Sequence, residues 1–265
     1  MLHRRLVIAS LLLASAACST APDDVCLAER RLAVNRLSAN RIALNRIALN
    51  RISLNRIALN GLNAVLGPEL PLTSLTSESV VELVPQRSFA DSFVQDVLEY
   101  TVSCALAPEQ SIEVPAGDTT RVYTGSLGLA PQWGEAGGQC DAACRGWVSA
   151  CLIARTNDLG VSRPISLLGD HESLAPTADE AELFTIEEAT YFGDLFAEPR
   201  TLYACLPAGA SGPERTCGDH PQDCAIAVLG ECDAVCDDAG CRDPNGLVHT
   251  QTITVNLPQD ATSCD

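Results

Sequence analysis

The sequence predicts an α+β fold: a disulfide-rich single globular domain preceded by a short segment of period-five repeats. Three observations predict it. Thirteen cysteines follow a leader of the kind that directs export. Arginine and asparagine recur every five residues between 31 and 60. Beyond residue 79, stretches with helical spacing of apolar residues are mixed with short β-rich runs.

The chain opens with Arg4 and Arg5, then the apolar run Leu6–Leu13, and closes that run on Ala14, Ser15, Ala16 and Ala17. The run is too short to cross a bilayer, so residues 1–17 read as a signal peptide. No later stretch reaches the roughly 18 uninterrupted apolar residues of a membrane span. Ser15–Cys18 resembles the lipobox of bacterial lipoproteins, with Ser15 where leucine is common. The resemblance implies a diacylated Cys18 at the mature N-terminus and a membrane partner reached through that acyl anchor. Ser19, where an acidic residue would imply inner-membrane retention, points to an outer-membrane lipoprotein of the cell envelope, facing the exterior or the periplasm. Cleavage after Ala16 and release is the alternative.

Setting Cys18 aside leaves twelve cysteines: Cys26, Cys104, Cys140, Cys144, Cys151, Cys205, Cys217, Cys224, Cys232, Cys236, Cys241 and Cys264. An even set in an exported chain reads as a disulfide framework. Twelve cysteines allow roughly 10,000 pairings, so the connectivity is not legible.

Composition narrows the chemistry. All 17 basic residues are arginine, and loss of Arg4 and Arg5 with the leader takes the net charge from −17 to −19. So acidic a chain is repelled by phosphate backbones, which excludes nucleic acid as a partner. The absence of lysine excludes Schiff-base and pyridoxal enzymes, a P-loop and a Ser-x-x-Lys hydrolase.

Residues 18–30 form a short lipid-anchored tether carrying Asp23, Asp24 and Cys26. Residues 31–62 hold the repeat, RLAVN, RLSAN, RIALN, RIALN, RISLN, RIALN, ending at the turn Asn60-Gly61. On a helix a step of five advances about 140°, which leaves the arginines on no single face. In one straight strand an odd period flips each repeat to the other side. A solenoid with Ile and Leu inward and Asn stacked suits the period. It is similar to the pentapeptide-repeat β-helix in period alone, because Asn here follows the Leu. Six units make a short spacer or stalk that packs on the next domain; a plain helix is the alternative, since Ala, Leu and Arg favour one. Residues 29–60 carry seven arginines and one acid, whereas from Gly67 onward there are eight arginines and 31 acids. The basic segment is thus suited to lie on the acidic domain or on anionic headgroups. Residues 63–78, with Pro68, Pro71 and a Thr/Ser-rich stretch, read as linker, and residues 79–265 as the cysteine-rich domain.

Within that domain Ser88–Ala105 reads as a helix, with Phe89, Phe93, Val97, Tyr100 and Cys104 at three- and four-residue spacing. Ser111–Val114 and Thr120–Thr124 read as strands. Asp141–Thr156 reads as a helix with Asp141 as its N-cap. Pro164–Leu168, Thr201–Cys205 and the alternating Val248–Leu257 read as further strands.

Candidate chemistry begins with the 140–151 helix, where Cys140, Cys144, Trp147 and Cys151 fall within an arc of about 60°. Cys140 and Cys151 lie roughly 16 Å apart along such an axis, too far to share a zinc ion held about 2.3 Å from each ligand. Separate disulfides pinning a buried face are expected. Ala142–Gly146 echoes the caspase cysteine motif, but the histidine that motif requires upstream is missing. The cluster Cys217, Cys224, Cys232, Cys236 and Cys241, with His220, reads as a disulfide knot in preference to a zinc module. No cofactor is expected beyond weak calcium binding by Asp233, Asp237, Asp238 and Asp243, with Asn245 nearby. A catalytic reading rests on His171 between Asp170 and Glu172, on His220 or His249, or on a carboxylate pair. Gly125-Ser126-Leu127-Gly128 is one residue short of a nucleophile elbow.

Leu127–Pro131, Trp133, Trp147–Arg155, Asn157, Ile165–Leu167, Tyr191–Phe196 and Leu202–Cys205 together resemble a group of uncharacterised, cysteine-rich lipoproteins of Gram-negative bacteria. The resemblance spans residues 127–205 and implies a location without an activity. The chain is therefore expected to be a non-enzymatic surface lipoprotein, a binding or structural component with a protein or glycan partner. A secreted hydrolase using His171 or an acid pair is the alternative.

Overall fold

The computed structural model describes residues 42–44, 47–48, 69–84, 89, 91–116, 118–157, 164–212 and 226–259. The leader, Cys18, the tether with Cys26, most of the repeat, and Cys217, His220, Cys224 and Cys264 lie outside the described residues. Two runs from the repeat are described as strands, β1 (Ile42–Leu44) and β2 (Ile47–Ala48).

The fold is α+β. The helices of the main layer are α1 (Ser77–Leu83), α2 (Ser92–Ala105) and α3 (Ala142–Ala154). Between α2 and α3 comes a hairpin, β3 (Ser111–Ala116) and β4 (Thr119–Thr124). After α3 the chain adds β5 (Thr156–Asn157), β6 (Pro164–Leu168), α4 (Ala178–Leu183), β7 (Ile186–Asp194) and β8 (Thr201–Leu206). It ends with β9 (Ala227–Glu231), the single turn α5 (Cys232–Val235), β10 (Cys236–Asp237), β11 (Gly240–Arg242), β12 (Val248–His249) and β13 (Ile253–Leu257). Six strands form the main sheet in the order β1-β6-β13-β7-β8-β9, antiparallel except for the β8–β9 pair.

Helix α3 starts where the sequence places it. The Asp141 carboxylate accepts from the N–H of Cys144 at 2.9 Å, satisfying one of the donors a helix start leaves without a partner. Everything from Trp147 to Ala154 is buried, because α3 lies between α2 and strands β7 and β13 of the sheet. At Gly146 a Cβ would meet the Gln251 side chain at 2.8 Å, so the absence of a side chain lets the β12–β13 connection approach the helix.

The C-terminal carbonyls of α2 find their donors in the segment that follows the hairpin. The N–H groups of Leu127, Leu129 and Ala130 donate to the carbonyls of Ser103, Cys104 and Ala105, and those of Ser126 and Gly128 donate to Leu106. This is the role of the Gly125–Gly128 run, which is a helix-end clasp rather than a nucleophile elbow. A Cβ at Gly125 would stand 2.2 Å from the Ala107 carbonyl oxygen, which only glycine tolerates.

The stretch read as linker differs from expectation in its second half. Leu70 and Leu75 are buried in the main core, and residues 70–72 form a 3-10 turn. Backbone bonds run from Leu75 N–H to the Trp133 carbonyl (2.7 Å) and from Cys140 N–H to Pro71 (2.8 Å), and the Trp133 indole N–H donates to Thr73 (2.8 Å). Proline and hydroxyl residues suggested a spacer, but their carbonyls serve as acceptors for the Trp133–Cys140 loop. The Thr76 hydroxyl then caps α1 by accepting from Ser79 N–H.

Strand β7 is buried over six consecutive residues, Glu188 to Gly193, because both of its faces are covered. Ala189, Tyr191, Ala204 and Leu206 of β7 and β8 point into the main core, while Phe192, Tyr203 and Cys205 point to a second, smaller core with Cys241. That second core is closed by β10-β11-β12, a small antiparallel sheet.

Substituting Leu75→Ala is expected to lower the unfolding free energy by about 2–5 kcal/mol, the range for a fully buried leucine. A denaturant titration checks it; a change near zero would mean that this segment is the spacer its composition suggests.

Candidate functional site

All eight described cysteines are in disulfides. Cys104 on α2 joins Cys151 on α3, and Cys140 joins Cys144 across the start of α3. Cys205 on β8 joins Cys232, the first residue of α5, and Cys236 joins Cys241 across the β10–β11 hairpin. The stripe on α3 thus holds two separate bonds, as its spacing implies, although Cys140 precedes the helix and pairs with its own stripe neighbour.

Arg155 sits beside the Cys104–Cys151 bond. Its guanidinium stacks 4.1 Å from the Tyr100 ring centroid and donates to the Ser103 hydroxyl at 3.0 Å, with the Cys104 sulfur at 3.6 Å. Burial lowers its pKa to about 10, with Tyr100 and Glu99 opposing that shift. The group still carries its charge at neutral pH and ties α3 to α2.

Among the described residues, chemically active side chains gather in the second core. The sulfurs of Cys205, Cys232 and Cys236 all lie within 4.8 Å of one another. Among the described residues this is the single group of three ligand atoms close enough to share a metal ion, and its sulfurs are committed to disulfides. Against it pack Phe192, Tyr203 and His249, with ring centroids 5.5–5.9 Å apart.

Asp243 organises the loop that carries His249. One carboxylate oxygen accepts from Asn245 N–H (2.8 Å) and Leu247 N–H (3.0 Å), and the other lies 3.4 Å from His249 Nε2. Burial pushes this carboxyl up, but the Leu247 and Asn245 N–H groups and His249 outweigh it and hold the group below its ordinary value. The buried carboxylate also adds to the effect of burial in raising the Tyr203 phenol. Asp237 has a different task in the β10–β11 turn. It accepts from Ala239 N–H (2.8 Å) and pairs with Arg242 (3.3 Å), and these donors lower its pKa. Two of the carboxylates proposed for calcium, Asp237 and Asp243, are therefore engaged in two separate turns, while Asp233 on α5 and Asp238 in the β10–β11 turn are exposed.

The histidine of the hydrolase reading is a capping residue. His171 Nδ1 accepts from Ser173 N–H at 3.2 Å at the head of the 3-10 turn Glu172–Leu174, and its ring stands edge-on to Trp147 at 5.4 Å. The buried glutamates are engaged elsewhere. Glu180 accepts from the Ser166 hydroxyl at 2.7 Å and closes a capping box with Thr177 on α4, and Glu188 accepts from the Tyr191 hydroxyl at 3.2 Å. His249 with Asp243 has the form of a base and its orienting acid, but no serine or threonine hydroxyl bonds to that imidazole among the described residues. The spacing of Asp243 to His249 around Asp-Pro-Asn-Gly was a legible signal for this pair that the sequence reading did not use.

Replacing Asp243 by alanine removes the acceptor of the Asn245 and Leu247 N–H groups and the partner of His249, and is expected to cost about 1–2 kcal/mol at pH 7. Since the folded carboxyl titrates below its unfolded value, its contribution is complete above pH ~4 and fades as pH falls through the folded pKa. The gap between wild type and Asp243→Ala in urea titrations therefore narrows at pH 3, and equal stabilities at pH 7 would refute this role. Comparison with protein-family models, curated proteins and solved structures finds no match to this chain.

Proposed function

We propose that this chain is an exported lipoprotein of the bacterial envelope, tethered through acylated Cys18, whose disulfide-closed acidic domain is a non-enzymatic binding or structural component. The observation that carries the reading is the joint one of leader and sulfur: a signal-like segment ends at Cys18, and every described cysteine beyond it is oxidised in a pair. Disulfides persist in oxidising compartments and are rare in a reducing cytosol. Among the described residues no helix is long and apolar enough to cross a membrane, so attachment would fall to the acyl chains. Two or more chains suffice to hold a protein at a bilayer surface. The acid-rich domain favours a neutral or cationic partner over a phosphate-bearing one.

The test is intact-mass analysis of the full-length protein expressed in a Gram-negative host, extracted from membranes with detergent and alkylated without reductant. The expected result is a mature chain beginning at Cys18, heavier by its acyl groups and carrying no alkylated thiol. Recovery of the unmodified chain from the soluble fraction, or alkylation at most cysteines, would overturn the proposal.

A further inference from the structure

The two disulfides of the second core touch. Cys205 Sγ lies 3.5 Å from Cys236 Sγ, although the first is bonded to Cys232 and the second to Cys241. Neither sulfur carries a hydrogen, so this is a contact between two electrophilic sulfurs. Access is unequal within each bond. Cys205 and Cys241 are shut off from solvent, 0% and 2% exposed, as are the cysteines of the two disulfides on α3. Cys232 and Cys236 are half-buried, and they are the two described cysteines that a solvent-borne thiolate can reach.

The two points of entry differ in outcome. Attack at Cys236 expels Cys241, which faces it across the hairpin and re-forms the original bond. Attack at Cys232 expels Cys205, and that thiolate already has a second electrophile, Cys236, in contact. Proximity of this kind favours the intramolecular step strongly. We infer that Cys232 is a thiol-capture site, at which a small thiol forms a mixed disulfide while the displaced Cys205 moves onto Cys236.

The exchange balances without an added oxidant or reductant. In the first step the incoming thiolate bonds to Cys232, the Cys205–Cys232 bond breaks, and the electron pair leaves on Cys205. In the second, Cys205 bonds to Cys236, the Cys236–Cys241 bond breaks, and the pair leaves on Cys241. Two S–S bonds are present before and after. Cys241 stands opposite His249 in the β11–β12 pairing, so the two side chains share a face and an imidazole neighbours the leaving sulfur. The residues flanking Cys232 in sequence, Glu231 and Asp233, are both exposed. Their charge selects an aminothiol cation over an anionic thiol.

The experiment treats the oxidised full-length protein with cysteamine or mercaptoacetate, matched in thiolate concentration. It then quenches with acid, labels free thiols with N-ethylmaleimide and maps the linkages by peptide mass spectrometry. The expected product carries cysteamine on Cys232, a Cys205–Cys236 cross-link and maleimide on Cys241, with Cys104–Cys151 intact. Relative to the rate of each thiol with an uncharged small disulfide, cysteamine should react about tenfold faster than mercaptoacetate, and less so as salt is raised. Maleimide on Cys205 with Cys236–Cys241 intact, an adduct accumulating on Cys236, no adduct, or scrambling that includes Cys104 would each overturn the inference. In the Cys236→Ser, Cys241→Ser double variant the label should move to Cys205 and the adduct yield fall. The wild-type linkage map decides the matter by itself if that variant does not fold.

Discussion

The Cys104–Cys151 bond ties α2 to α3, and most of the main layer is arranged around that junction. Its partners are 47 residues apart in sequence. In the chain-entropy account such a bond restrains the unfolded chain by about 4 kcal/mol, against about 2 kcal/mol for the short Cys140–Cys144 loop. The segment between the two cysteines includes the β3–β4 hairpin, the clasp that caps α2 and the Trp133 turn. Within it the clasp bonds to the end of α2, and the Trp133 turn bonds to the Leu70–Leu75 segment. Arg155 reinforces the same place through the Tyr100 face and the Ser103 hydroxyl. A buried guanidinium is expensive to dehydrate, and the Tyr100 face and Ser103 hydroxyl offset part of that cost.

The second core obeys a different balance. It has few apolar side chains, and β9 beside it is largely exposed. Two disulfides and the Asp243 loop take the place of hydrophobic area there. A small module below the size at which burial alone suffices is where cross-links are most effective. This explains why four of the eight described cysteines crowd into one corner. The charged groups follow the same division: Asp243 is buried and hydrogen-bonded, whereas Asp237, the exposed member, acts through turn geometry.

How much of this was legible in the sequence depends on which interactions are local. The Asp141 cap and the apolar spacing of α3 are local, and the helix begins within one residue of expectation. Strands β3, β4 and β6 were legible for the same reason, though the pairing of β3 with β4 was not stated by their sequence. Strand β7 was not read as a strand, because an element covered on both faces loses the alternation that marks one. The run Val248–Leu257 reads as one strand, yet residues 250–252 carry the chain from the second core to the main sheet and split it into β12 and β13. Leu70 and Leu75 were hidden among prolines and hydroxyls, since their burial depends on Trp133, some 60 residues away in the chain. In the candidate site the cysteines themselves were evident. Their pairing was not, because it is set by which strands become neighbours.

That last point bears on what the sulfurs can do. Cys205 and Cys232 come from opposite ends of a segment that begins in β8 and ends at α5, while Cys236 and Cys241 are neighbours in a hairpin. The parallel pairing of β9 on β8 delivers Cys232 to Cys205. The four-residue α5 then turns the chain so that Cys236 meets the same sulfur from the other side. A cross-link intended solely to hold β9 against β8 would not require a second bond in contact with it. Contact between a long-range bond and a local one couples the closure of the larger loop to the state of the hairpin. Opening of the Cys205–Cys232 bond would therefore set a thiolate against the hairpin bond before any apolar contact of the main core has to move.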